Sequence, residues 1–141
     1  TMWTEIRPRA YHLFDEPNVG HLITLNRDLT PQTTPVWVDR DGGTAVLNSA
    51  EGRQKVRNLR RNPFAILTVH SLTDPYNWVQ VRGTAELRSE GAEDHVHALS
   101  MKYYGRPYPF EDELGQRVII RLHASAVRCA EQRPLDSSEE R

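Results

Sequence analysis

The stretch NSAEGRQKVRNLRRNP, residues 48–63, decides how this chain folds. Within it, three residues spaced i, i+4 and i+7 form an apolar stripe: Gly52, Val56 and Leu59. This spacing places them on one helix face and predicts a helix over residues 50–61. Ser49 is the expected N-cap, because its hydroxyl can accept a free N–H group of the first turn. Asn62-Pro63 should end the helix, since the residue before a proline avoids the helical region.

The charge in this stretch is almost entirely basic. Glu51 is the one acid beside a run of basic residues: Arg53, Lys55, Arg57, Arg60 and Arg61. Arg57 and Arg61 point outward on a helical wheel and are expected to be solvated surface charges. Arg53 and Lys55 lie in the predicted first turn, where free N–H groups and the helix dipole favour an anion. We therefore expect Arg53 and Lys55 to bind a phosphate.

The flanking sequence is dominated by strands. Apolar runs and alternation predict six of them, at residues 20–26, 33–39, 44–48, 64–69, 78–88 and 117–127. Asp41-Gly42-Gly43 is a tight-turn sequence, so the strands on either side should pair antiparallel. Further helices are expected at residues 8–14 and 90–104, and a proline-rich loop at 105–109. These elements predict a mainly β (α+β) fold: a six-stranded antiparallel barrel with peripheral helices.

Composition limits the function classes that fit this chain. The 141 residues correspond to one domain, 1–141, with a loose polar tail over 131–141. The net charge of -1 gives no general case for binding nucleic acid or an anionic membrane. No apolar run approaches the span of about 20 residues that crosses a bilayer. The first residues carry no secretory pattern, so a cytoplasmic protein is expected.

Familiar catalytic and metal-binding patterns are missing from the sequence. Cys129 is the only cysteine, which excludes an internal disulfide and a multi-cysteine metal site. His95 and His97 are two residues apart on a predicted helix and cannot form a ligand pair, so no metal is expected. No Gly-rich phosphate loop or nucleophile elbow occurs, and no catalytic residue is identified. Any chemistry should therefore belong to a bound cofactor.

Aromatic residues allow two interpretations. Trp37 and Trp78 lie on predicted strands opposite valines, where they either pack in a core or interface or form a wall for a planar ring. Tyr103, Tyr104 and Tyr108 lie near the proline-rich loop, where they either close a pocket or only pack.

Taken together, these segments resemble the pyridoxamine 5′-phosphate oxidase-like split β-barrel superfamily. The resemblance covers about residues 12–127 and is most specific at RQKVRNLRRNP (53–63) and at G-T-A-E (83–86). The segment YYGRPYPF (103–110) is similar to the branch that uses the deazaflavin coenzyme F-420. The resemblance implies a homodimeric split barrel that holds a flavin-like cofactor in a groove at each subunit interface.

The resemblance also implies which residues contact the cofactor. Lys55 matches the lysine that binds the cofactor phosphate, with Arg53 and Asn58 as further residues on the phosphate side. The segment along the ring system runs from Gln32 through Thr34, Pro35 and Val36 to Trp37. Four more positions are implied, with Asn48 and Ser49 along the ribityl chain and Trp78 and Gln80 near the cofactor or the dimer partner.

The function implied by the resemblance is that of an F-420-dependent reductase, which delivers hydride to a small organic molecule. The basic cluster suits F-420 better than FMN, because the F-420 phosphate continues into an anionic oligoglutamate tail. Vitamin B6 oxidation is not expected, since the residues after Cys129 lack the oxidases' substrate-phosphate segment. Alternatives are an FMN-binding oxidase or flavin reductase, a non-enzymatic cofactor carrier, and a small-barrel nucleic-acid binder that uses the basic helix.

Overall fold

A computed structural model describes residues 3–130, which form one curled antiparallel sheet with helices around it. The strands are β1 (Val19–Leu25), β2 (Pro31–Trp37), β3 (Asp39–Asp41), β4 (Thr44–Ala50), β5 (Phe64–His70), β6 (Trp78–Arg88) and β7 (Arg117–Cys129). The α-helices are α1 (Tyr11–Asp15), α2 (Gln54–Arg61) and α3 (Ala92–Tyr104). Short 3₁₀ turns at Pro8–Ala10 and Glu111–Glu113 precede α1 and β7. The tail predicted at 131–141 lies outside the described residues.

The sheet has the strand order β2-β1-β5-β6-β7-β4-β3 and curls into a half-barrel. Its concave face holds a core to which every long strand contributes, with Leu22, Leu67, Val81 and Ile120 as examples. Phe14 of α1 and Leu59 of α2 close this core, and both are almost fully buried. The prediction of an antiparallel, mainly β fold with peripheral helices is therefore confirmed.

The predicted strand count is wrong by one, because the expected strand at 33–39 is two strands. The chain breaks at Val38, which is fully buried and donates its N–H to the Tyr103 hydroxyl, with 2.8 Å between N and O. The Val38 carbonyl accepts from the Lys102 ammonium instead of a strand neighbour. β2 therefore pairs with β1, whereas β3 pairs with β4 across the predicted turn, at the other edge of the sheet.

The start of the basic helix also differs from the prediction. Ser49 is not an N-cap, because β4 continues through it and pairs it with Val118 of β7. Residues 51–53 form a turn in which Gly52 adopts a positive φ of 90°, a conformation that favours glycine. α2 then begins at Gln54, with Arg53 in the N-cap position. Gly52 is thus outside the helix, although Val56 and Leu59 of the predicted stripe are buried.

The remaining elements lie close to their predicted positions. β6 has the predicted bounds, and α3 begins at Ala92, two residues later than expected, after Gly91 with a positive φ of 76°. Ala92, Val96 and Leu99 of α3 are buried, as the apolar spacing predicts. None of the helices within residues 3–130 is long and apolar enough to cross a membrane.

Candidate functional site

A cleft of about 360 Å³ opens between the ends of β2 and β4, the start of α2, one side of α3 and the loop before β7. It brings together residues that are far apart in the sequence. One end is basic and the other is aromatic, and the two ends meet where Arg117 lies 5.3 Å from the ring centroid of Tyr108. The cleft can therefore hold a ligand that has both an anionic group and a planar apolar part.

The basic end is formed by Arg53, Lys55 and Arg117. Burial lowers the pKa of Lys55, and the charges of Arg53 and Arg117 lower it further. Burial likewise lowers the pKa of Arg117; Tyr108 opposes this effect, and the charge of Arg53 adds to it. Among residues 3–130, no hydrogen bond or ion pair engages the Lys55 ammonium. No carboxylate within the described part of the chain pairs with Arg53, Lys55 or Arg117. These close cations destabilise one another, and a bound anion would remove that repulsion.

The backbone at this end also favours an anion. α2 begins at Gln54 beside the cleft, and neither a side-chain cap nor an acidic residue occupies its first turn. The positive end of the helix dipole is therefore not neutralised by the helix itself. Lys55 lies in this first turn, while Arg117 reaches the same place from the start of β7. A phosphate group matches this combination of helix N-terminus and basic side chains.

The aromatic end is built around Trp37. Its ring stacks on Tyr103 at a centroid distance of 4.9 Å and an interplanar angle of 7°. Tyr104 and Tyr108 contact it edge-on, at 5.1 and 6.2 Å. The Tyr103 hydroxyl receives the Val38 N–H and donates to the Asn18 carbonyl, and burial raises the pKa of Tyr103 to about 12. The indole therefore packs against three tyrosines and also lines the cleft.

The cleft contains more than half of the residues that the resemblance assigned to a cofactor. Those on its wall are Pro35, Val36, Trp37, Asn48, Ser49, Arg53 and Lys55. Tyr104 and Tyr108 also line it, so these two tyrosines close a pocket as one of their interpretations expected. The other assigned residues, Gln32, Thr34, Asn58, Trp78 and Gln80, lie elsewhere in the structure.

Asn58 has a different place from the one expected. Its side chain is fully buried between α2 and β1, where its amide donates to Thr24 and Asn26, each at 3.0 Å. Its oxygen accepts from Gln54 and Arg61. All of its polar atoms are thus engaged within the protein, which makes Asn58 the connection between the basic helix and the sheet rather than a residue of this cleft.

The other four residues lie farther along the sheet. On β2, Gln32 accepts a hydrogen bond from Thr24 at 3.3 Å, and the buried Thr34 hydroxyl has no partner among the described residues. Trp78 and Gln80 lie on β6, where Trp78 borders a small cavity beside α1. Both are half-buried on the convex face of the sheet. Within one chain, these residues do not reach the cleft.

Arg117 is the main cleft residue that the sequence did not single out. Its position depends on the pairing of β7 with β4, which places Arg117 opposite Ala50 and next to the turn that leads into α2. The place of Arg117 beside the cleft therefore follows only from the register of the sheet and not from the local sequence. Phe110 and Glu113, which also border the cleft, come from a loop for which the sequence predicted no role.

Comparisons with known proteins agree with this architecture. The family model described as pyridoxamine 5′-phosphate oxidase matches residues 6–129. A structure named as an F-420 reductase is 30% identical, with a TM-score of 0.74, over 86% of this chain and 98% of that one. A conserved hypothetical protein from Mycobacterium tuberculosis is 22% identical, with a TM-score of 0.70, over 96% and 99%.

A third structure shares the fold. It is described as a putative pyridoxamine 5′-phosphate oxidase from Listeria innocua and is 20% identical, with a TM-score of 0.66, over 86% of this chain and 94% of that one. The family match spans nearly all of the described residues, including the whole sheet and every helix that borders the cleft. The chain therefore belongs to the pyridoxamine 5′-phosphate oxidase-like split-barrel family, whose members bind flavins or the deazaflavin F-420.

Proposed function

We propose that this protein is an F-420-dependent oxidoreductase that transfers hydride between the deazaflavin and a small organic substrate. The observation that carries the proposal is the cleft itself, in which an unneutralised cluster of Arg53, Lys55 and Arg117 adjoins the aromatic end around Trp37. The similarity to an F-420 reductase at 30% identity supports the same choice of cofactor. When bound, the deazaflavin supplies or accepts the hydride.

The residues of the cleft fit the two chemical halves of such a cofactor. Lys55, Arg53 and Arg117 would hold the phosphate by charge-assisted hydrogen bonds. The wall from Pro35 to Trp37 would lie along the ring system, with Asn48 and Ser49 beside the polar chain between the two. The protein's part is to orient the ring and to keep water away from it, which the aromatic end favours.

A second basic surface favours F-420 over FMN. A shallow concavity on the outer side of α2 is lined by Arg27, Gln54, Arg57, Arg60 and Arg61. Arg57 and Arg61 are exposed, as the helical wheel predicts. Arg53 lies at the start of the same helix and borders the cleft, so positive charge continues from the cleft onto the surface. The oligoglutamate tail of F-420 could follow this path, whereas FMN ends at its phosphate.

We also propose that the protein is a homodimer with the cofactor at the subunit interface. The convex face of β1, β5 and β6 carries the half-buried side chains Ile23, Phe64, Ile66 and Trp78. Apolar side chains that remain half-exposed on a sheet face, here interspersed with polar ones such as Thr68 and Arg82, are commonly covered by a partner. A second copy seated there would bury these side chains and would bring Trp78 and Gln80 to an interface, where the resemblance places them.

The proposal is tested by titrating the purified protein in parallel with F-420 and with FMN and following the fluorescence of each compound. Saturable binding of F-420, with FMN bound more weakly, is the expected result. Tight FMN binding without a response to F-420 would favour the FMN oxidase or flavin reductase alternative. F-420 binding without turnover of any substrate would favour a cofactor carrier, and oligonucleotide binding with steep salt dependence would favour the nucleic-acid alternative.

A further inference from the structure

A chain of hydrogen bonds behind the cleft links four side chains from four different elements. Asp39 Oδ2 of β3 lies 3.0 Å from His95 Nε2 of α3, and His95 Nδ1 lies 3.0 Å from Asn48 Nδ2 of β4. Asn48 Oδ1 in turn lies 2.9 Å from Arg117 Nε of β7. This series of hydrogen bonds therefore runs from the Asp39 carboxylate at the sheet edge to the Arg117 guanidinium at the basic end of the cleft.

The orientation of the Asn48 amide follows from two partners that each have only one hydrogen-bonding role. Arg117 Nε can only donate, so the atom facing it at 2.9 Å must be the amide oxygen. The carbonyl oxygen of Ala92 can only accept, and it lies 2.9 Å from Asn48 Nδ2. Both contacts require the same orientation, in which the second N–H of Asn48 points at His95 Nδ1.

The tautomer of the neutral His95 ring follows from this orientation. Because Asn48 donates to Nδ1, that nitrogen must present its lone pair, and the ring proton of a neutral imidazole must lie on Nε2. Nε2 then donates to the Asp39 carboxylate. Burial opposes ionisation of Asp39, yet hydrogen bonds from His95 and the Arg40 N–H lower its pKa, so the carboxylate remains an acceptor.

The His95 imidazole is mostly buried and has a hydrogen-bond partner at each nitrogen. The His95 side chain is only 14% exposed, compared with 39% for Asp39. Arg117 also contacts the Leu114 carbonyl at 3.2 Å and, more weakly, that of Glu113 at 3.5 Å, both through Nη1, and it interacts with Tyr108. Asn48 supplies the acceptor for Nε and thereby helps to set the direction from which the guanidinium enters the cleft.

We propose that His95 is a positioning residue of the cleft. Its Nδ1 lone pair accepts one N–H of Asn48 and, together with the Ala92 carbonyl, holds the amide in the orientation that receives Arg117 Nε–H, which places the Arg117 guanidinium beside Lys55 for anion binding. Without the Nδ1 acceptor, one N–H of Asn48 loses its partner and only the Ala92 carbonyl and Arg117 Nε hold the amide, so both Asn48 and Arg117 are less firmly positioned. The expected effect on cofactor affinity rests on the proposed function. The expected tautomer of His95 and the fixed position of the Arg117 side chain do not.

The first test uses the unliganded protein labelled with ¹⁵N. The ¹⁵N chemical shifts of the imidazole identify which nitrogen of His95 carries the proton, and the Nε2–H tautomer is expected at neutral pH. A resolved, exchange-protected Nε–H signal is expected for Arg117. An Nδ1–H tautomer of the neutral ring would overturn the inference, as would a rapidly exchanging Arg117 signal.

The second test compares two substitutions of the same residue. Gln in His95→Gln can accept from Asn48 and donate to Asp39, whereas Phe in His95→Phe can do neither. His95→Phe should weaken F-420 binding by about threefold to tenfold, the range expected for one lost hydrogen bond, and should broaden the Arg117 Nε–H signal. His95→Gln should restore both properties. Wild-type affinity in His95→Phe, or equal losses in the two variants, would contradict the positioning role.

A matched control separates positioning from a general loss of packing. His12 is another half-buried histidine, with Nε2 2.8 Å from Asn77 Nδ2, and it is not part of the cleft. His12→Phe should leave F-420 affinity and the Arg117 signal unchanged. If the wild-type protein does not bind F-420, the proposed function fails, but the His95 tautomer and the effect of His95→Phe on Arg117 still decide this inference.

Discussion

Replacing Lys55 with alanine should weaken cofactor binding strongly while leaving the fold intact. Lys55 has no hydrogen-bond or ion-pair partner among residues 3–130, so its removal leaves no protein group unsatisfied. The substitution also removes the repulsion that Lys55 shares with Arg53 and Arg117. The melting temperature of the unliganded variant should therefore stay within a few degrees of the wild-type value or rise slightly.

The expected size of the binding defect follows from the kind of contact that is lost. A hydrogen bond between an ammonium and a phosphate contributes about 1.5–3 kcal/mol. At about 1.4 kcal/mol for each factor of ten, the dissociation constant of F-420 should rise by about tenfold to one-hundredfold. Arg53 and Arg117 remain in the cleft, so binding should be weakened rather than abolished.

The assay is a fluorescence titration of wild-type protein and Lys55→Ala with F-420, together with thermal unfolding of both unliganded proteins. Arg88→Ala is a suitable control, because Arg88 is an exposed cation paired with Glu86 and does not line the cleft. Wild-type affinity in Lys55→Ala would show that Lys55 does not bind the cofactor phosphate and is a simple surface charge. An equal loss in Arg88→Ala would show that the effect is not local to the cleft.

Three further predictions concern stability and assembly. Burial lowers the folded-state pKa of Lys55, so the unfolded chain binds that proton more tightly; in urea titrations, the unfolding free energy of the wild type relative to that of Lys55→Met should therefore rise as the pH approaches 10.5, and a constant difference would contradict the burial of Lys55. Tyr103→Phe leaves the Val38 N–H and the Asn18 carbonyl unpaired and should cost about 1–3 kcal/mol in the same assay, whereas no change would contradict the hydrogen bonds of Tyr103. Ile66→Lys places a charge on the convex face and should yield monomers in sedimentation velocity, whereas an unchanged dimer would place the interface elsewhere.

Regular patterns allowed much of the fold to be predicted from the sequence. β6 has the predicted bounds because alternation over its length is unambiguous, and the hairpin at Asp41-Gly42-Gly43 follows from local turn chemistry. The break at Val38 could not be predicted in this way. It depends on the Tyr103 hydroxyl, which comes from a helix 65 residues later in the sequence.

The residues of the cleft could likewise be predicted only where a local sequence pattern marks them. Arg53 and Lys55 were expected beside a phosphate from the local charge pattern, and the structure places both at the cleft even though α2 begins four residues later than predicted. Ser49 suited an N-cap by its chemistry, but pairing with Val118 keeps it in β4. Arg117 joins the basic end only through the register of β7, which no local pattern reveals.

The most direct test of the proposed function is a crystal structure of the protein with F-420. The phosphate should lie within hydrogen-bonding distance, about 2.7–3.2 Å, of Lys55 Nζ and Arg117, with the ring system along Pro35–Trp37. A phosphate bound away from Lys55, or a ring system bound outside the cleft, would contradict the proposed function.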